Sequence, residues 1–188
     1  EQEDKLIDQL VQAYGGSHLK SMSSLRLTDK YHSFRYGQSH SPDEVNMVTY
    51  RSAVYVDFAN QRKSFRWVRG TKDSYSTQHQ IFDCEKGYQI DHDSQSYNEN
   101  TNMTFPSADR RHLYYLDTRL VLLLDKNREQ VNFLGQTQHQ GMSHSKLELE
   151  VEGYPKMFFF IDNETHRISK MQRPHRREGE HFSYHYSD

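Results

Sequence analysis

Residues 45–70 read VNMVTYRSAVYVDFANQRKSFRWVRG, and the alternation within them decides the fold. Val48, Tyr50, Val54, Val56 and Phe58 share one parity, broken only by Ser52. Thr49, Arg51, Ala53, Tyr55 and Asp57 share the other. A period of two residues means a strand with one face buried and one face wet. Asn60-Gln61 falls where a turn is wanted, and Lys63–Arg69 returns with Phe65 and Trp67 on one face. The reading is a long antiparallel hairpin. Two strands cannot bury an apolar face alone, so the rest of the chain must supply more sheet and a cover.

The composition allows that. At 188 residues the chain is one domain, or one domain with extensions, and is long enough for a real core. Only 34% of it is apolar and its mean hydropathy is −1.04, but 13 Tyr and 10 Phe stand in for missing aliphatics. Aromatic and β-branched residues suit pleated surfaces, which leans the chain towards β. A formal charge of −2 makes no electrostatic case for nucleic acid. The longest apolar run, Leu120–Leu124, is far below the roughly 18 residues that cross a bilayer. Cys84 is the only cysteine, so no internal disulfide and no cysteine-based metal site is expected. Flanked by Asp83 and Glu85, it has no cationic neighbour in sequence to lower its pKa and reads as inert. A chain that begins at Glu1, with neither an initiator Met nor a signal sequence, fits a processed secreted protein or a trimmed one. The lack of a cysteine at that end argues against a lipid anchor there.

Working outward, Asp4–Tyr14 has helical spacing at Leu6, Ile7, Leu10, Val11 and Tyr14, and Gly15-Gly16 ends it through a left-handed cap. Ser17 starts a second short turn, with Leu19 and Met22 packing down. Leu25–Tyr36 reads as a strand with Leu25, Leu27 and Tyr31 on one parity and Asp29 as a polar break. Gly37–Asp43 is a polar loop. After the hairpin, Gly70–Ser74 turns, Tyr75–Cys84 is a weaker strand, and Gly87 is placed to supply a positive φ angle. Tyr88–His92 and Gln95–Tyr97 continue a nearest-neighbour meander. Then the period changes. Ser107 is the expected N-cap of a helix carrying Leu113, Leu116, Leu120, Leu123 and Leu124 in one stripe to about Asp125. This leucine helix is the natural cover for the sheet. Strands resume at Glu129–His139, Lys146–Glu152, Met157–Ile161, His166–Arg173 and His181–Tyr186. Met157–Ile161 is apolar on both parities, as in a strand covered on both sides.

Catalytic and metal chemistry find little support. Among 12 histidines, Asp91-His92-Asp93 lacks a second nearby His. His139 and His144 are separated by Gly141. His181 and His185 lie about 13 Å apart on one strand face, too far for a single ion held at about 2 Å by each. Most histidines read as solvated. No Gly-x-Ser-x-Gly elbow, phosphate loop or dinucleotide fingerprint occurs. Asp91 and Asp93 form a same-face pair of a kind common in turns, and Arg110-Arg111 and Arg173–Arg177 read as solvated basic patches. No catalytic residue, metal or cofactor is expected, and the chain is read as a non-enzyme. What remains is shape: a curved sheet with an apolar face is either filled by the leucine helix or keeps an apolar cavity for an acyl chain. The residues leave both open.

The order of elements adds a resemblance. A helix ending in Ala13-Tyr14-Gly15-Gly16, then Leu19, then a strand opening Ser24-Leu25-Arg26-Leu27, resembles the start of the LolA/LolB-like lipoprotein-carrier superfamily. That resemblance implies an α+β fold: a curved antiparallel sheet of about eight to eleven strands, an unclosed β-barrel, with helices over its concave face. It implies one LolA-like domain over residues 1–188, located in the periplasm or secreted. The function it implies is non-catalytic binding of a lipid or other apolar ligand in the cell envelope. Parity then nominates Leu25, Leu27, Tyr31, Val54, Val56, Phe65, Trp67, Leu147, Leu149 and Phe159 as the apolar lining. The expected partner is an apolar ligand or acyl chain, with no nucleic acid and no transmembrane segment. The same opening, running on through Leu27-Thr28-Asp29-Lys30-Tyr31, also resembles the region ahead of the catalytic domain in some bacterial metallo-β-lactamase-fold hydrolases. On that alternative the chain is an accessory N-terminal domain with an interaction or substrate-gating role beside a C-terminal enzyme domain. No His-x-His-x-Asp-His zinc motif is present, so the hydrolase activity does not carry over.

Overall fold

The structure, a computed structural model, describes residues 2–35, 46–71, 74–100, 104–106, 108, 113, 116–174 and 179–186. The chain divides into two compact units: a middle unit, Ser23–Arg110, and a terminal unit made of Glu1–Met22 with Arg111–Asp188.

The middle unit is an antiparallel meander of six strands in sequence order: β1 (Ser24–Arg35), β2 (Asn46–Asp57), β3 (Arg62–Gly70), β4 (Tyr75–Asp83), β5 (Lys86–Asp91) and β6 (Ser96–Asn100). The hairpin read from residues 45–70 is β2–β3, paired from Thr49↔Gly70 to Asp57↔Arg62. Its turn is held by Asp57, whose carboxylate accepts from the backbone N–H and side-chain amide of Asn60 at 3.0 and 2.8 Å. Gln61 takes the left-handed conformation there, with φ 51°. The β4–β5 turn differs from expectation. Its left-handed residue is Cys84, at φ 49°, while Gly87 sits inside β5 opposite Phe82. Asp83 pairs with Lys86, so only Cys84 and Glu85 lie in the connection, and two-residue hairpins demand positive φ at the corner itself. The expected Gly37–Asp43 loop lies outside the described residues.

The terminal unit holds a second antiparallel sheet and the helices. Its strands are β7 (Val131–His139), β8 (Met142–Leu149), β9 (Met157–Asp162), β10 (Ile168–Pro174) and β11 (His181–His185), again paired to nearest neighbours. Neither sheet closes on itself, and the architecture is α+β. Helix α1 (Gln2–Ala13) buries Ile7, Leu10 and Val11 and ends at Gly15 and Gly16, with φ 106° and 57°. Gly16 donates its N–H to the Val11 carbonyl at 2.9 Å, and a Cβ there would meet the Gln12 amide oxygen at 2.8 Å. The backbone angle favours glycine, whereas the Gln12 side chain is free to swing away from a Cβ. The turn α2 (Ser17–Lys20) buries Leu19.

The leucine helix departs from expectation in two ways. The described helix, α3, runs Asp117–Lys126, so Leu113 and Leu116 precede it although both are buried; Ser107 lies outside the described residues. Asp117 opens α3 by accepting the Thr118 N–H on its own carboxylate at 2.8 Å. Secondly, Leu120 and Leu124 belong to the core of the terminal unit with Ile7, Leu10, Leu147, Leu149, Met157, Phe159, Ile161, Ile168 and Met171. The face of β7–β10 is more continuously apolar than the hairpin's, so it gives the leucines more area to bury. The hairpin's own apolar face forms a separate, smaller cluster of Val54, Val56, Phe82, Phe105 and Ala108.

The strand read at 146–152 is shifted. β8 starts at Met142 and ends at Leu149, and Gly153, at φ 83°, helps turn the chain where the alternation had continued. β9 is covered on both sides, as its pattern required. Met157, Phe159 and Ile161 face the core, while Phe158 and Phe160 face the other way beneath Lys146 and Lys170. On that second face the edge strands β7 and β11 approach, and the rings of His139 and His185 lie 5.4 Å apart. His144, expected on the surface with most histidines, is fully buried. Its Nδ1 lies 3.0 Å from the Met142 carbonyl.

Candidate functional site

The register of the six-stranded sheet places the middle-unit candidates on one face. One row across the strands is Leu25, Val56, Lys63 and Phe82; the next is Leu27, Val54, Phe65 and Gln80; the third is Asp29, Ser52, Trp67 and Gln78; and Tyr31 stands opposite Tyr50 in the fourth. The same alternation that forms each strand therefore stacks the apolar residues across strands.

Cover on this face is graded. Val54, Val56 and Phe82 are buried with Phe105 and Ala108, while Leu25, Leu27, Phe58 and Phe65 pack against them and keep part of their surface exposed. The cover is pinned at two points. Phe105 donates its N–H to the Cys84 carbonyl at 2.9 Å, and the buried Lys63 ammonium donates to the Ala108 carbonyl at 3.3 Å. Further along the strands the face turns polar. Ser52 donates from both its N–H and its hydroxyl to one Asp29 oxygen. The amides of Gln78 and Gln80 both donate to Gln89. Trp67 lies at this boundary, its ring 6.0 Å from that of Tyr50. The arrangement offers an apolar strip with a polar end, suited to an amphiphile.

The remaining candidates sit elsewhere. Leu147, Leu149 and Phe159 are fully buried in the filled core of the terminal unit. Parity nominated them as lining, but the side they face is packed with α1 and α3. Phe82, Phe105, Ala108 and Lys63 escaped the sequence reading. Phe82 alternates with the polar Gln80 and Gln78, which masks its parity, and Phe105 and Ala108 precede any helical stripe.

Clefts among the described residues also lie off this face. One, of about 380 Å³, is lined by Tyr55, Asp57, Arg62, Ser64, Ile81 and Asp83 on the opposite, wet face of the same sheet. Another, of about 320 Å³, lies in the terminal unit between Tyr14, Asp117, Met142, Asp162, Arg167 and Tyr186. There the Tyr14 hydroxyl donates to Asp117 at 2.8 Å and accepts the Ile168 N–H at 3.3 Å. Burial, reinforced by Asp117, pushes the phenols of Tyr14 and Tyr186 well above their ordinary pKa. The neutral Tyr14 phenol, bonded to Asp117 and to the Ile168 N–H, is a structural group. Asp162 acts likewise: its carboxylate accepts the backbone N–H groups of Glu164 and Thr165 at 2.8 Å each, and these donors hold its pKa below the usual range. Asp91 accepts from the N–H groups of Asp93 and Ser94, which makes the Asp91/Asp93 pair a turn. Among the described residues no group of three or more His, Cys, Asp or Glu is placed to hold a metal ion, and no helix is long and apolar enough to cross a membrane.

No family model matches the chain, and no curated protein matches it. Solved structures do. A domain from Vibrio parahaemolyticus, described as an outer membrane lipoprotein-sorting protein, superposes with a TM-score of 0.52 at 10% identity, over 99% of this chain and 78% of that one. A conserved protein from Thermus thermophilus superposes with a TM-score of 0.38 at 9% identity, over 97% and 82%. The Vibrio likeness supports the LolA-like α+β fold that the opening residues suggested. The Vibrio likeness gives no support to a metallo-β-lactamase-fold hydrolase.

Proposed function

We propose that this chain binds an apolar ligand, such as an acyl chain, without catalysis, and does so in the periplasm or outside the cell. The binding surface is the apolar strip of the six-stranded sheet, centred on Leu25, Leu27, Val54, Val56 and Phe65 and ending at Trp67. The observation that carries this reading is the graded cover on that strip. Its rows are in register, yet Leu25, Leu27 and Phe65 keep exposed surface beside a packed base. Apolar surface of this kind is favoured in contact with another apolar group, at about 25 cal/mol per Å² removed from water. The likeness to a domain described as lipoprotein-sorting supports the choice of ligand class and of the cell envelope.

Uptake of a fluorescent fatty acid tests the proposal. The wild-type chain should bind the probe saturably. Leu27→Asn and Phe65→Ser should weaken binding by about tenfold or more, since each replaces apolar contact with a polar group that must be desolvated. Equal binding by all three proteins, or none by the wild type, would refute it.

A further inference from the structure

The opposite face of the six-stranded sheet carries a concentration of positive charge that folding does not explain. Arg26 on β1, Arg51 on β2 and Arg66 on β3 stand on three adjacent strands, with Lys30 further along β1. All four are exposed. Lys30 and Arg51 are direct cross-strand partners, an arrangement of like charges that costs stability. None of the four has an ion-pair partner among the described residues. The acidic groups on this face are engaged at its margins: Asp83 pairs with Arg62, Asp57 holds the β2–β3 turn, and Glu99 pairs with Lys86. The cations fall within about 14 Å along the strands and about 10 Å across them. That is a compact positive patch on a chain of net charge −2.

Exposed tyrosines share this face with the patch. Tyr55 is the cross-strand partner of Arg26 and is 51% exposed; Tyr97, 65% exposed, packs edge-on against Tyr88; Tyr75 is 80% exposed at the far end of β4. Tyrosine, apolar in body and polar at the tip, is at home at the headgroup level of a bilayer. A broad sheet face with several separate cations spread over three strands, and a cleft only at its Tyr55 margin among the described residues, matches a two-dimensional array of anions better than a single ligand.

We propose that this face docks the protein onto a bilayer surface carrying anionic phospholipid headgroups. The cations supply long-range attraction, and the tyrosines supply interfacial contact. The patch lies on the side of the sheet opposite the apolar strip, and the proposal does not rest on ligand binding there. Membrane association and acyl-chain uptake can therefore fail independently.

Co-sedimentation with vesicles tests it, using neutral phosphatidylcholine vesicles and vesicles containing phosphatidylglycerol. Binding should require the anionic lipid and should fall steeply as salt is raised. Arg51→Gln and Arg66→Gln should each weaken it about fivefold, at roughly the effect of one basic residue at an anionic surface. Lys5→Gln, on α1, should leave it unchanged. Circular dichroism of the variants separates loss of binding from loss of fold. Equal binding to neutral vesicles, insensitivity to Arg51→Gln and Arg66→Gln, or retention on a soluble polyanion with none on anionic vesicles would each overturn the proposal.

Discussion

Ser52 donates two hydrogen bonds to a single oxygen of Asp29, from its backbone N–H at 3.1 Å and from its hydroxyl at 2.5 Å. Each residue is a polar break in an otherwise apolar strand parity, and the register makes them direct cross-strand partners. One interruption satisfies the other, which fixes the pairing of β1 with β2, because a slip by one residue would separate them and turn both faces over. Ser52→Ala should cost about 1.5 kcal/mol, the low end of the range for a hydrogen bond to a charged acceptor, because the site is partly solvated. Asp29→Ala should cost a similar amount, and the double variant much less than the sum. Urea unfolding of the four proteins gives the coupling; additive effects would mean that the pair does not set the register.

Lowering the pH should destabilise the middle unit through His79. His79 Nε2 lies 2.9 Å from the Ser64 hydroxyl, and its Nδ1 is hydrogen-bonded to His92 at 3.0 Å with the rings stacked. Burial first, then His92 and Arg66, holds the His79 pKa below its ordinary 6.5. The folded state thus prefers the neutral ring. Its contribution is full above about pH 6.5 and is lost as pH falls through the lowered value. Unfolding midpoints measured from pH 7.5 to 5 should decline, and His79→Gln should flatten that decline.

Asp162 predicts a second, more acidic transition. Its carboxylate gathers the Thr165 and Glu164 N–H groups and the Thr165 hydroxyl, and its pKa is held below the ordinary 3.8. The stabilisation is present above that value and disappears as pH drops beneath it. Asp162→Ala should cost about 2–3 kcal/mol near neutral pH, since it leaves turn donors unpaired in a mostly buried site. Thermal melts at pH 7 and pH 3 should differ more for the wild type than for this variant.

Stability and binding should separate between the two clusters. Phe159 is fully buried among Leu147, Leu149 and the helices, so Phe159→Ala should cost about 3–5 kcal/mol. Leu27 only packs against the edge of the smaller cluster, so Leu27→Asn should cost about 1 kcal/mol while weakening ligand uptake. Denaturation and probe titration on both variants check the division.

Much of this was legible in residues 45–70. Alternation gave the hairpin, its turn and, through register, the shared face of Leu25, Leu27, Val54, Val56, Phe65 and Trp67. The assignment of cover was not legible. Leu120 and Leu124 are apolar wherever they pack, and nothing in their spacing says which of two sheets they bury. Only the competing faces decide, and the face bearing Leu147, Leu149 and Phe159 is the more apolar. Cys84 escaped for a different reason. A positive φ is normally assigned to the nearest glycine, but the two-residue connection between Asp83 and Lys86 fixes the corner before Gly87 is reached. His144 was hidden because burial of a polar ring depends on neighbours from β9, distant in sequence.

Trp67 offers the most direct measurement, because it is the only tryptophan and stands at the end of the apolar strip. Titration with a fatty acid brominated along its chain should quench its fluorescence saturably, the unbrominated acid should compete, and Leu27→Asn should shift the curve to higher concentration. Quenching no greater than that of free tryptophan in the same solution would contradict ligand binding on this face.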